Sequence, residues 1–171
     1  MKTVTVHSPG TVANLVCGFD ILGLALNAPY DVMKVKLLDE PKVIIHNKDN
    51  FNLPTEPEKN VAGVVLLSVI ERMENKIGFE VEIEKHIKPG SGIGSSAASA
   101  AGAAVAANHL LGNIFLITKN PSHQFSYLYH RKYIVNQNTA ILNYMSMLHN
   151  TVDYHEVDCQ NELCHSPYRS L

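Results

Sequence analysis

An α+β domain over residues 1–112 is what this sequence predicts, and three observations carry the expectation. The chain opens on strand-like alternation. A helix-spaced apolar segment follows a polar loop. Further on, another alternating segment leads through a glycine-rich loop into a helix of small residues. With 171 residues, 46% of them hydrophobic and 18% charged, the chain has enough apolar side chain for one sizeable core.

Taken in order, residues 2–7, 30–38 and 43–46 read as strands, and residues 47–58 form a polar loop punctuated by prolines. A helix is expected over 60–75. Val61, Val64, Val65, Leu67, Val69 and Met73 give it an apolar side, and Glu71, Arg72 and Glu74 gather near its end. Asn60 stands where a cap belongs, because its side-chain oxygen can accept an orphan amide of the first turn. Phe79, Val81 and Ile83 then alternate with Glu80, Glu82 and Glu84, marking a strand with one face in water. Same-side carboxylates without cationic partners are read as that wet face, not as a catalytic or metal cluster.

Residues 89–98, Pro-Gly-Ser-Gly-Ile-Gly-Ser-Ser-Ala-Ala, are the segment in which chemistry is most concentrated. Gly90, Gly92 and Gly94 permit positive φ and bring backbone N–H groups close to an anion. Ser95 and Ser96 sit where a helix over 95–111 begins, with unladdered amides and the positive end of the dipole facing the same point. A Walker A loop is excluded because no Lys follows the last glycine. A dinucleotide fingerprint fits poorly: position 95 is Ser, and no Asp or Glu occurs between His109 and Ile117. Gly90-Ser91-Gly92 does not supply the Gly-x-Ser-x-Gly of a nucleophile elbow, and the Gly, Ala and Ser content is too polar for a membrane span. A close-packed small-residue helix without a ligand is the plain alternative.

A second motif lies near the N-terminus, from Ser8-Pro9-Gly10-Thr11 through Asn14, Cys17-Gly18-Phe19-Asp20 and Gly23 to Leu26. Taken with the later glycine loop, in that order, it resembles the homoserine kinases of the GHMP small-molecule kinase superfamily. The resemblance covers about residues 1–112. It implies a βαβ-containing N-terminal domain like the ribosomal protein S5 domain 2 fold, normally followed by a ferredoxin-like domain. ATP and Mg²⁺ are the implied cofactors, and L-homoserine is the implied small-molecule substrate. The reaction would be phosphorylation of its side-chain hydroxyl, a step of threonine biosynthesis.

The same resemblance implies the site. Nucleotide falls to Asn60, Lys88, Pro89, Gly90, Ser91, Gly92, Ile93, Gly94, Ser95, Ser96, Ala97 and Ala98, with Ser96 at the metal position and Ser95 next to it. Asn14 and Asp20 fall to the substrate, Asp20 being suited to an ammonium and Asn14 able to donate and accept. Each has a plainer reading beside it. The two serines and Asn60 are also helix-cap types, Asn14 and Asp20 also satisfy turns, and Lys88 also suits an exposed strand exit. Gly18 and Gly23 are read as bends, and Cys17 as a small apolar residue. No catalytic base is assigned.

The formal net charge of -2 gives no electrostatic footprint for nucleic acid or an anionic membrane. The first residues lack the apolar core of a signal peptide, and the three cysteines have no disulfide-like spacing, which together suggest the cytoplasm. A boundary is expected after Gly112. All ten glycines lie at or before it, whereas six of seven tyrosines and five of nine histidines follow it. Residues 113–171 are read as a divergent tail, frameshifted, mis-spliced or replaced, in which a strand or short helix over 134–147 is broken by Asn136, Gln137, Asn138 and Asn143. His155, Cys159, Cys164 and His165 invite a zinc site, but the spacing lacks a familiar pair, so none is assigned. The family's metal-site glutamate and second domain are not found after Asn113, so weak or absent turnover is expected. The alternatives are a GHMP kinase for another small alcohol, such as mevalonate or galactose, or a non-catalytic nucleotide-binding remnant. Such a remnant would self-associate as a homo-oligomer through the surface where the second domain docks.

Overall fold

The computed structural model describes residues 2–13, 23–74 and 76–114 together with the short strand at 154–155. Its elements run β1 (Thr3–Ala13), β2 (Gly23–Leu38), β3 (Val43–Asn47), α1 (Val61–Ile70), β4 (Gly78–Glu84), α2 (Ser95–Leu110) and β5 (Tyr154–His155). One sheet in the order β3-β4-β2-β1-β5 carries both helices on one face. β1 with β2, β2 with β4 and β1 with β5 are antiparallel, while β3 and β4 are parallel and joined through α1. That parallel pair and its crossover helix are the expected βαβ unit.

Alternation builds the core. Val4 and Val6 of β1, Met33 and Val35 of β2, and Phe79, Val81 and Ile83 of β4 point to the helix side and are buried. Leu66 and Val69 of α1 pack on them. So do Ala103, Ala106 and Ala107 of α2, whose small side chains let the helix sit close to the sheet. Gly102 marks a close approach: a Cβ there would lie 2.5 Å from the Ser8 hydroxyl oxygen. The opposite face is polar, as the glutamates predicted, but basic side chains do stand beside them. Lys36 and His46 reach Glu80 at 3.1 and 3.2 Å, Lys48 reaches Glu82 at 3.9 Å, and His86 reaches Glu84 at 3.2 Å. These partners come from β2, β3 and the segments after β3 and β4, whose register the sequence alone does not display.

Three element boundaries differ from expectation. β1 continues to Ala13 and β2 begins at Gly23, where strands were expected to stop at His7 and start at Tyr30. The strands run on past Pro9 and Gly10 through a register shift: Pro9 pairs with Tyr30 and Thr11 with Ala25, so the extra residues lie in β2. α1 is shorter than expected, ending at Ile70. Its last turn tightens through bonds from the Arg72 and Met73 amides to the Val69 and Ile70 carbonyls, so residues 71–74 form a turn. The 134–147 segment and the cysteines of the discounted zinc group lie outside the described residues.

Candidate functional site

The glycine loop leaves β4 and enters α2 with Gly90, Gly92 and Gly94 at φ of +76°, +80° and +74°. Side chains other than glycine rarely adopt this left-handed region. The surroundings separate the three. A Cβ on Gly90 or Gly92 meets nothing within 4 Å, whereas one on Gly94 would lie 2.6 Å from the Thr11 hydroxyl oxygen. The Ser91 amide closes a turn onto the Lys88 carbonyl at 3.2 Å.

Gly94 is the N-cap of α2 and supplies no side-chain cap. The first ladder bond of the helix runs from the Ala98 amide to the Gly94 carbonyl at 2.8 Å. The amides of Ser95, Ser96 and Ala97 therefore precede the ladder, at the positive end of a sixteen-residue helix whose first turn holds no acidic side chain. Capping by serine is not what these two serines do. Ser95 Oγ donates to the Ile87 carbonyl at 2.9 Å, tying the helix start back to the strand exit. Ser96 is exposed, Ala97 is half-buried and Ala98 is buried.

Beside the loop lies a groove of about 90 Å³. Leu53, Pro54, Lys59, Asn60 and Val61 form one wall, and Pro89, Ser95, Ser96 and Ser99 form the other, with Ile83 and Lys85 between them. Asn60 reaches this groove as the cap of α1. Its Oδ1 accepts the Ala62 amide at 3.0 Å and its Nδ2 donates to the Pro54 carbonyl at 2.8 Å, so both ends of the amide are engaged. Lys88 is exposed, which matches its plainer reading as a lysine at a strand exit.

The described part of the N-terminal motif meets the glycine loop. The Thr11 amide donates to the Ile93 carbonyl at 3.0 Å, and a Cβ on Gly10 would lie 3.4 Å from the Ile93 side chain. Asn14, Asp20 and the residues between them fall outside the described residues.

Sequence reasoning missed one feature of the site, a buried ion pair of Lys85 with Asp31, 5% and 0% exposed. Parity was the available signal. Phe79, Val81 and Ile83 face the core, and the next position of that parity is Lys85; Met33 and Val35 face the core, and the preceding position is Asp31. With Met33 opposite Ile83, the register brings the two charged residues to neighbouring places on adjacent strands.

A family profile described as the GHMP kinases N terminal domain matches residues 61–150, more than half of the chain. The chain belongs to the GHMP kinases. That match continues past Gly112, where the composition changes. Among curated GHMP kinases, the homoserine kinase of Methanococcus vannielii is 46% identical over 112 residues, covering 64% of this chain and 37% of the relative. That of Chloroherpeton thalassium is 42% identical over 125 residues, covering 66% and 39%. The chain thus spans little more than a third of the length of these relatives. Among solved structures, a homoserine kinase from Cytophaga hutchinsonii superposes with a TM-score of 0.67 at 27% identity, covering 92% of this chain and 52% of the other. The mevalonate kinase of Methanococcus jannaschii, at a TM-score of 0.59 and 14% identity over 91% of this chain and 56% of its own, shares the fold. The expected α+β GHMP kinase N-terminal domain is therefore the fold of the described region.

Proposed function

We propose that this chain forms the N-terminal, nucleotide-binding part of a homoserine kinase, with the triphosphate of ATP lying over residues 90–96. The observation that carries the reading is the loop of three left-handed glycines opening onto the unladdered amides of α2. Phosphoryl transfer asks chiefly for positioning and for neutralisation of charge, and fixed amides at a helix N-terminus supply both without reorganising. The absence of acidic side chains from the first turn of α2 removes the repulsion that would oppose a polyanion there.

Within this reading the side chains divide by their geometry. Ser95 is committed to the Ile87 carbonyl and fixes the start of the helix. Ser96, exposed on the groove, is the hydroxyl that would hold Mg²⁺, an oxygen donor of the kind that ion prefers. Bound there with ATP, Mg²⁺ supplies charge neutralisation at the phosphate oxygens. Leu53, Pro54 and Pro89 offer the base of the nucleotide an apolar slot. Asn60 acts through its cap, holding the Pro54 wall against α1. Asn14 and Asp20 are assigned to the amino-acid substrate, Asp20 to its ammonium. The homoserine hydroxyl oxygen forms the new bond to the γ-phosphorus as the bond to the β-phosphate oxygen breaks, giving O-phosphohomoserine, ADP and a proton. In this reading the product feeds threonine biosynthesis and the protein works in the cytoplasm. Among the described residues, no helix is long and apolar enough to cross a membrane.

The test has two stages. MgATP is titrated into the chain, and a rise in unfolding midpoint with ATP concentration is expected. Product formation is then followed by phosphorus NMR with homoserine, mevalonate and galactose offered separately. Phosphohomoserine alone supports the reading; phosphorylation of another alcohol moves the specificity elsewhere in the family. ATP binding without product makes the chain a nucleotide-binding module, and no response to ATP overturns the proposal.

A further inference from the structure

We infer that Lys85 and Asp31 form a buried clamp that fixes both ends of the glycine loop and so act as positioning residues for the nucleotide; this rests on the nucleotide reading above. The segment between Ile87 and Ser95 contains three glycines in left-handed conformations, the kind of chain that has most freedom to lose on ordering. Two of the three have open space around them, so packing at those positions does not impose the shape.

Its ends are held instead. At the entry, Asp31 Oδ1 accepts the amides of His86 and Ile87, both at 2.9 Å. At the exit, Lys85 Nζ donates to the Ser95 carbonyl at 3.2 Å and to Ser99 Oγ at 2.9 Å. The ion pair joins the two halves, and the bond from Ser95 Oγ to the Ile87 carbonyl closes the ring. The three protons of the ammonium thus have three acceptors: Asp31, Ser95 and Ser99.

A buried ion pair is weak evidence for stability as such, since apolar residues of similar volume often do as well. This pair does what apolar residues cannot. The carboxylate engages two backbone amides just before the loop, and the ammonium engages a backbone carbonyl just after it. The two charges cancel at short range, so the pair adds little net potential for a phosphate, and its influence is geometric. Preorganising a loop in its binding shape raises affinity by removing the cost of ordering it.

The test measures ATP affinity and amide hydrogen exchange in the wild-type chain, in Lys85→Met and in the milder Ser99→Ala, which deletes one acceptor. Lys85→Met should weaken ATP binding about tenfold or more and Ser99→Ala about two- to threefold, as expected for lost preorganisation. In both, exchange should accelerate over residues 88–97 ahead of β1, β2 and β4. If Lys85→Met does not fold, Ser99→Ala decides. Wild-type ATP affinity in Ser99→Ala, or acceleration spread evenly through the sheet, would overturn the clamp. Failure of the wild-type chain to bind ATP would instead sink the nucleotide reading, and the exchange pattern alone would then judge the clamp.

Discussion

The glycines of the loop illustrate how much a single residue type conceals. All three were legible as a phosphate-loop pattern because alternating glycines before a small-residue helix have few other uses. Their division of labour was not legible, since it depends on Thr11 standing behind Gly94. Gly92→Ala should cost about 1 kcal/mol through its positive φ alone. Gly94→Ala should cost more, because the new methyl must also displace the Thr11 hydroxyl. Urea unfolding of the two variants checks the order, and equal costs would contradict it. The Asp31 and Lys85 pair was half-legible: each letter sat at a core-facing parity, but opposite charges on two strands become partners only once register is known.

At the scale of elements, periodicity located β2, β3, α1, β4 and α2 because each buries one face against a common core. It failed where backbone irregularity overrode local preference, at the register shift opposite Pro9 and Gly10 that leaves extra residues in β2. The cap of α1 was readable from one letter, and Asn60→Ala should destabilise the domain by about 1 kcal/mol while loosening the Pro54 wall of the groove. Thermal unfolding gives the first quantity, and ATP affinity reports the second.

The exposed sheet face adds a pH dependence. The hydrogen bond from Lys36, followed by that from His46, holds the Glu80 carboxyl below its usual range. A carboxyl depressed on folding contributes stability that is present above its unfolded pKa and lost as pH falls through the lower folded value. Wild type should therefore lose slightly more stability than Glu80→Gln on acidification from neutrality to below the carboxyl range. The two should converge in acid, with a difference at neutrality of only a few tenths of a kcal/mol, as for other solvent-screened pairs. Parallel stability curves for the two proteins would contradict this.

Over the whole molecule, sheet order and helix placement bring together parts of the chain that are far apart in sequence. Residues 8–13, 31, 85–99 and the loop before α1 all converge on one end of the sheet. Two separated motifs in the right order carried the family resemblance that the 61–150 match now supports. No local pattern could show that they touch, because the hydrogen bond that joins them, from the Thr11 amide to the Ile93 carbonyl, is made by backbone atoms. Replacing Ser96 by Ala should leave the unfolding midpoint nearly unchanged, since the side chain is exposed, while weakening ATP binding in Mg²⁺ more than in its absence. Calorimetry with and without the metal separates the two effects.

The bond from the Thr11 amide to the Ile93 carbonyl carries a thermodynamic consequence. A ligand that shifted the end of β1 would strain or break this bond to a peptide unit between Gly92 and Gly94, so occupancy of one region would be felt in the other. Such interdependence is equal in both directions: on the proposed reading, the factor by which homoserine would alter the dissociation constant of ATP is the factor by which ATP would alter that of homoserine.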